Sequence, residues 1–182
     1  GGTITGVRRG VRLGAKTNGG NSTFKMYGGT IKNTRNGVYV DKGSIFELYG
    51  GSITGNTTDT TDETGNYGGG VFINEGAKFT MSGDAVISHN EAYKGGGVYL
   101  AGGAIFNIEG GTITGNTTSD GGGGGVYLGT NTAFNMSGDA VISNNSGAYS
   151  GGGVYVNTAT FNMSGNASVS GNTASYGGGV YV

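Results

Sequence analysis

Cysteine, proline and tryptophan do not occur anywhere in this chain of 182 residues. Without cysteine there is neither a disulfide staple nor a thiolate metal site, although a secreted location stays open. Without proline, and without a strict Gly-X-Y period, the 44 glycines cannot belong to a collagen triple helix. Charged residues make up only 12% and hydrophobic ones 34%, so a thin core shared along an elongated body fits better than a thick globular one. No apolar run is long enough to span a bilayer, which excludes membrane insertion of this segment by a helix. No basic-then-apolar leader opens the chain. Residue 1 already lies inside a recurring phrase, GGTITG, so the chain reads as mature or excised material and as a segment of a longer repeat protein.

What is present is repetition. A phrase of the T-I-T kind stands at 3–5, 30–32, 52–54, 86–88, 112–114, 141–143 and 168–170. A phrase of the G-V-Y-V kind stands at 10–13, 37–40, 70–73, 97–100, 125–128, 153–156 and 179–182. A phrase of the F-x-M kind stands at 24–26, 46–48, 79–81, 106–108, 134–136 and 161–163. The valines that open the second phrase, from Val11 to Val180, are spaced 27, 33, 27, 28, 28 and 26 residues apart. One period of about 27 residues therefore runs six times with a partial turn left over, and a fixed period of this length is the signature of a solenoid.

Each phrase is too short for a helix, is rich in β-branched and aromatic residues, and is bounded by Gly, Asn and Ser, which are strand signals. Side chains alternate faces along a strand. In F-x-M the Phe and Met point inward while the middle residue (Lys25, Glu47, Thr80, Asn107, Asn135 or Asn162) meets water. In T-I-T the Ile or Val points inward and the hydroxyls outward. The fold expected is all-β: a right-handed parallel β-helix, or β-solenoid, with three short strands per coil, forming one domain over residues 1–182. The hand is taken from the usual crossover rule. Stacking equivalent strands in parallel buries a continuous core that no single repeat could bury alone.

The glycine runs before each V-Y-V phrase are expected to turn a corner, often at positive φ. Gly28-Gly29, Gly50-Gly51 and Gly110-Gly111 turn the next one. Where that pair becomes Gly83-Asp84, Gly138-Asp139 or Gly165-Asn166, one additional residue separates Met from the next strand, which reads as a bulge. Asn56, Asn90, Asn116, Asn145 and Asn172 each follow an inward Ile or Val by three residues, the pattern of an amide ladder at a turn.

GGGVYL at 95–100, GGAIFN at 102–107 and GGTITGN at 110–116, with copies across nearly the whole chain, resemble the Gly-rich parallel β-helix repeats of bacterial surface proteins. They are similar to the passenger regions of autotransporter-type and polymorphic outer-membrane proteins and to adhesin-like proteins of gut bacteria. The resemblance implies a pectate-lyase-like fold and a shaft that is secreted or displayed on the bacterial surface.

The search for chemistry returns little. Glu47, Glu75, Asp84, Glu91, Glu109, Asp120 and Asp139 are scattered over different coil positions. The one acidic cluster, Asp59, Asp62 and Glu63 in DTTDETGN, occupies the insertion that lengthens one coil to 33 residues. It lacks the spacing of a known Ca²⁺ loop and reads as a solvated acidic loop. His89 stands where other coils have Gly or Asn, so it reads as a turn residue rather than a catalytic base. No catalytic residue, metal site or cofactor is expected.

Two features stand above this background. The middle residues of the V-Y-V wall (Tyr39, Phe72, Tyr99, Tyr127, Tyr155 and Tyr181) form an outward aromatic stripe. It reads as a self-stacking ladder or as a surface for sugar rings or another fibre. The second is charge. Residues 1–42 carry eight basic side chains against Asp41 alone, net +7, and residues 43–182 carry Lys78 and Lys94 against ten acids, net −8. A basic patch can suggest nucleic acid, but the aromatic interleaving is sparse and the whole chain is slightly acidic, so none is expected.

The function expected is a non-catalytic, extracellular structural or adhesive shaft or fibre subunit, stacking end to end, with a glycan or other host-surface group as its external ligand. A carbohydrate-active β-helix enzyme of the lyase or hydrolase kind, using the acidic insertion, and a passive glycan-binding module, using the stripe, are the alternatives.

Overall fold

The computed structural model describes residues 1–6, 8–14, 21–58 and 66–182. Three parallel sheets form three walls, and among the described residues there is no helix. The T-I-T strands build wall A, seven strands from Thr3–Thr5 to Ser168–Ser170. The V-Y-V strands build wall B, seven strands from Arg9–Leu13 to Val180–Tyr181, and the F-x-M strands build wall C, six strands from Thr23–Met26 to Thr160–Met163. Every strand pairs with its equivalent in the next coil without a slip: Val38 with Val71 and Val71 with Val98 in wall B, Phe79 with Phe106 in wall C. The 33-residue coil keeps this register. On either side of the insertion, the Thr58 hydroxyl donates to the Asn66 carbonyl at 3.0 Å.

Parity explains the core. In the central coils wall C alternates half-buried and buried positions, wall A buries its middle residue, and wall B buries its two outer ones. Phe46, Phe79, Phe106 and Phe134 are fully buried, and the column from Phe24 to Phe161 stacks ring on ring with centroids 4.5–5.4 Å apart. That interval matches the spacing of neighbouring strands, so each coil adds one ring to one continuous stack.

The corners are backbone chemistry. Gly95, which opens one glycine run, sits at φ +64°, where any side chain is strained. At Gly96 the limit is room rather than angle: a Cβ would overlap the Thr117 carbonyl oxygen and lie 2.8 Å from that of Gly124. The amide ladder at the A-to-B corner is complete. Asn56 Nδ2 donates to Asn90 Oδ1, Asn90 to Asn116, Asn116 to Asn145 and Asn145 to Asn172, each at 2.9 Å. Each of Asn90, Asn116, Asn145 and Asn172 also donates to a backbone carbonyl of the coil before, so one side chain binds three storeys.

One expectation needs amending. The additional residue at Gly83-Asp84 and its copies is not a bulge. It falls outside the paired strands, in tight turns such as Ser137–Ala140, where the Ala140 N–H donates to the Ser137 carbonyl at 3.3 Å. The added length lets Ala85, Ala140 and Ala167 turn their methyls into the core, which a Gly-Gly corner cannot do. The structure also adds a short fourth side between walls A and B, where Glu91–Ala92 pairs with Thr117–Thr118 and single bridges extend it through Thr57, Ser146 and Thr173.

Candidate functional site

The outward stripe forms as the alternation requires. Tyr39, Phe72, Tyr99, Tyr127, Tyr155 and Tyr181 stack at 4.7, 5.4, 5.0, 4.9 and 5.2 Å, with ring planes 5–17° apart. The faces of the inner rings are therefore covered by one another, and the stripe offers solvent mainly ring edges. Tyr67 joins it beside Tyr99 at 4.6 Å. Burial, reinforced by Tyr127 and Tyr67, pushes the Tyr99 phenol well above its usual range. This geometry is that of a ladder stabilising its own wall. Along the stripe, a sugar ring, which needs an open aromatic face, finds one toward the C-terminal end, at Tyr181.

The acids are less scattered than their sequence positions suggest. Asp84, Glu109 and Asp139 come together around one depression of about 540 Å³ at the C-to-A corner, and Asn166 Nδ2 donates to Asp139 Oδ1 at 3.0 Å. Among the described residues no group of three or more His, Cys, Asp or Glu side chains is placed to hold a metal ion. Asp59, Asp62 and Glu63 lie outside the described residues. His89 is a turn residue at φ 53°, in the same left-handed position as Asn33 and Asn144. Asn and His are among the side chains that tolerate that region. Its ring lies against Gly115 of the next coil.

A second site emerges at the other end. From the inward Ile of wall A to the first Val of wall B is seven residues in the first two coils (Ile4 to Val11, Ile31 to Val38). In the five later coils it is 11 to 18 residues. The A-to-B side therefore steps up in length after the second coil, and a cleft of about 300 Å³ lies at that step, lined by Arg8, Arg9, Arg35, Asn36, Tyr39, Asn66, Tyr67 and Phe72. Counting back three residues from the wall-B valine gives Arg8 and Arg35 in the first two coils and a positive-φ glycine in each of the other five. Counting back two gives Arg9 and Asn36, then glycine throughout. Counting forward one gives Arg12, then the aromatic stripe.

The guanidinium groups are unequally engaged. Arg12 is bound to Asp41, with Nε at 2.8 Å and an Nη at 2.7 Å from the same carboxylate oxygen. Arg35 donates to Asn66 Oδ1 at 2.9 Å. Arg9 lies over the Tyr39 ring at 4.2 Å, a cation–π contact that caps the aromatic stack. Its Nε is buried without a hydrogen-bond partner. Burial, and then the like charge of Arg12, lowers its pKa from the usual arginine value. Sequence reading saw this region only as net charge. The signal that locates the cleft is the register: arginines stand where the repeat elsewhere requires glycine.

Known protein families, curated proteins and solved structures were all compared with the chain, and none matches it.

Proposed function

We propose that this chain is a non-catalytic shaft segment of a bacterial surface or secreted fibre, holding a binding element away from the cell. The observation that carries this reading is how the side chains are used. Phenylalanines inside, tyrosines outside, and asparagines at the corner each form a column running from coil to coil. Columns of this kind resist shear along the axis and leave few groups free to do chemistry, which suits a spacer.

The ends support continuation of the stack. Each of the three sheets has an edge strand at both ends. At the C-terminal side Phe161 and Val169 are only partly covered and Met163 is 48% exposed. Residues 140–182 contain no Asp, Glu, Lys or Arg, so no charge guards these edges. The acids all lie between residues 41 and 139, so attraction between opposite charges at the two ends contributes less than the net charges suggest. In the isolated segment a second copy continues walls A and B, with Arg12 meeting Tyr181, and leaves one layer of the six-stranded wall C vacant above Phe161.

An antibody raised against the segment is expected to label intact cells or their shed material in the source organism. Labelling only after permeabilisation overturns the reading. Sedimentation at rising concentration is expected to show end-to-end oligomers that Ser168→Lys, on the last strand of wall A, shortens.

A further inference from the structure

We infer that the cleft at the step between the second and third coils is a binding site for the acidic group of an anionic sugar, a uronate carboxylate or a sulfate ester. The choice of a glycan rests on the surface-shaft reading; the oxyanion chemistry stands on the cleft itself.

Three observations converge. The first is the orphaned donor: Arg9 Nε is buried with nothing to accept its proton. Buried donors are almost always satisfied in folded proteins, and an unpaired one calls for a missing acceptor. Among the described residues neither the Arg8 nor the Arg9 side chain has an ion-pair or hydrogen-bonding partner, whereas the side chain of neighbouring Arg12 is committed to Asp41.

The second is the departure from the repeat. The structural need at this corner is met by glycine in five coils, and the two short coils place arginine or asparagine there instead. Crowding Arg8, Arg9 and Arg12 raises their mutual repulsion, which costs stability in the empty protein and falls when an anion arrives.

The third is shape. About 300 Å³ exceeds what a bare ion needs and lies at the small end of ligand pockets, enough for one sugar ring and its acidic substituent. Arg9 is held over Tyr39, with its guanidinium carbon 4.2 Å from the ring centroid, so its fork is restrained before it makes two parallel N–H···O bonds to a carboxylate or sulfate. A long polyanion such as nucleic acid is disfavoured, because beyond this cleft the body carries net −8.

The test is calorimetric titration of the chain with a galacturonate oligosaccharide and, separately, with a sulfated oligosaccharide; the tighter of the two identifies the acidic group. Arg9→Gln and Arg8→Gln are each expected to weaken binding about tenfold, one charge-assisted contact's worth. Arg9→Lys, which keeps the charge but not the fork, is expected to fall between. Lys42→Ala, the same charge change at the exposed Lys42–Glu75 pair (3.5 Å), is expected to leave affinity within about twofold. Circular dichroism checks that each variant is folded. The inference is overturned if neither sugar binds, if Arg9→Gln binds as wild type does, if Lys42→Ala loses as much, or if a short single-stranded DNA binds more tightly. Loss of cell-surface labelling leaves this titration unaffected, so the two readings fail separately.

Discussion

The first two coils and the five that follow share the same three walls, yet they are held together differently. In the later coils the columns are neutral: stacked tyrosines on wall B, and on wall C an amide run in which Asn162 donates to Asn135 and Asn135 to Asn107, at 2.9 and 2.8 Å. In the first coils the same columns carry charge. Arg12 replaces the aromatic and pairs with Asp41, and Lys25 pairs with Glu47 at 2.8 Å where asparagines stand later. The A-to-B side is seven residues there, against 11 or more later. The difference teaches which parts of the repeat are obligatory. Inward residues never depart from type, so they carry the fold. The outer column and the glycine corner do depart, together and in one place, so they are free to carry something else.

The corner provides the sharpest way to break this contrast. Gly96→Asn puts into a long-sided coil the residue that the second coil carries as Asn36. Its Cβ would overlap the Thr117 carbonyl oxygen, which is backbone of the next coil and cannot swing away. A loss of about 3 kcal/mol is expected by denaturant unfolding. Arg9→Ala, at the same register position, loses only a cation–π contact and is expected to cost about 1 kcal/mol. Equal losses in the two variants would erase the distinction between the corners.

The amide ladder is a graded version of the same comparison. Asn116 lies in mid-ladder, fully buried, accepting from both the backbone N–H and the side chain of Asn90 at 3.0 and 2.9 Å and donating onward to Ile87 O and Asn145. Asn116→Ala leaves buried donors unsatisfied and is expected to cost about 2–3 kcal/mol. In the second coil Thr34 stands at the ladder position and terminates it, giving its N–H and hydroxyl to Asn56 Oδ1 at 3.1 and 2.8 Å. Asn56 keeps its bonds to Asn90 when Thr34 is lost, so Thr34→Ala is expected to cost about 1 kcal/mol. Thermal melts of the two variants side by side check the ratio.

Much of this was legible because the sequence repeats its own test. An inward–outward alternation over three residues is weak on its own, but six copies in fixed order leave one arrangement that buries Phe46, Ile53 and Val71 together. The asparagine ladder was legible for the same reason. The fourth side was not: Glu91-Ala92 and Thr117-Thr118 carry no shared apolar alternation, and their pairing follows only once the walls are stacked. The turn at Ser137–Ala140 was misread as a bulge because an additional residue counts the same in either case. Asp84, Glu109 and Asp139 looked scattered because they belong to three successive coils, and the stacking that gathers them is vertical. The arginine cleft escaped because net charge averages over positions, whereas the register separates Arg9 from its glycine equivalents.

The smallest effect is the one that separates the two regions by pH. In the first coils the Lys25 ammonium, hydrogen-bonded to Glu47, holds the Glu47 carboxyl below its ordinary range and is itself held above its own. A lowered carboxylate contributes stability above its unfolded pKa and loses it as pH falls through the folded value, so acid removes this contribution. In the second of the later coils, burial raises the Tyr99 phenol, and a raised group contributes stability below its unfolded pKa, near 10, and loses it as pH climbs through the folded value. Acid therefore acts on the Lys25–Glu47 pair and not on Tyr99, alkali acts on both, and the exposed pair is further weakened by salt. Amide hydrogen exchange resolved by residue is expected to show faster opening around residues 23–48 but not around Tyr99 on acidification, and faster opening around Tyr99 on alkalisation, an effect that shrinks in Tyr99→Phe. Uniform loosening at both extremes would mean that the coils unfold as one unit and that the charged and neutral columns differ in chemistry but not in local stability.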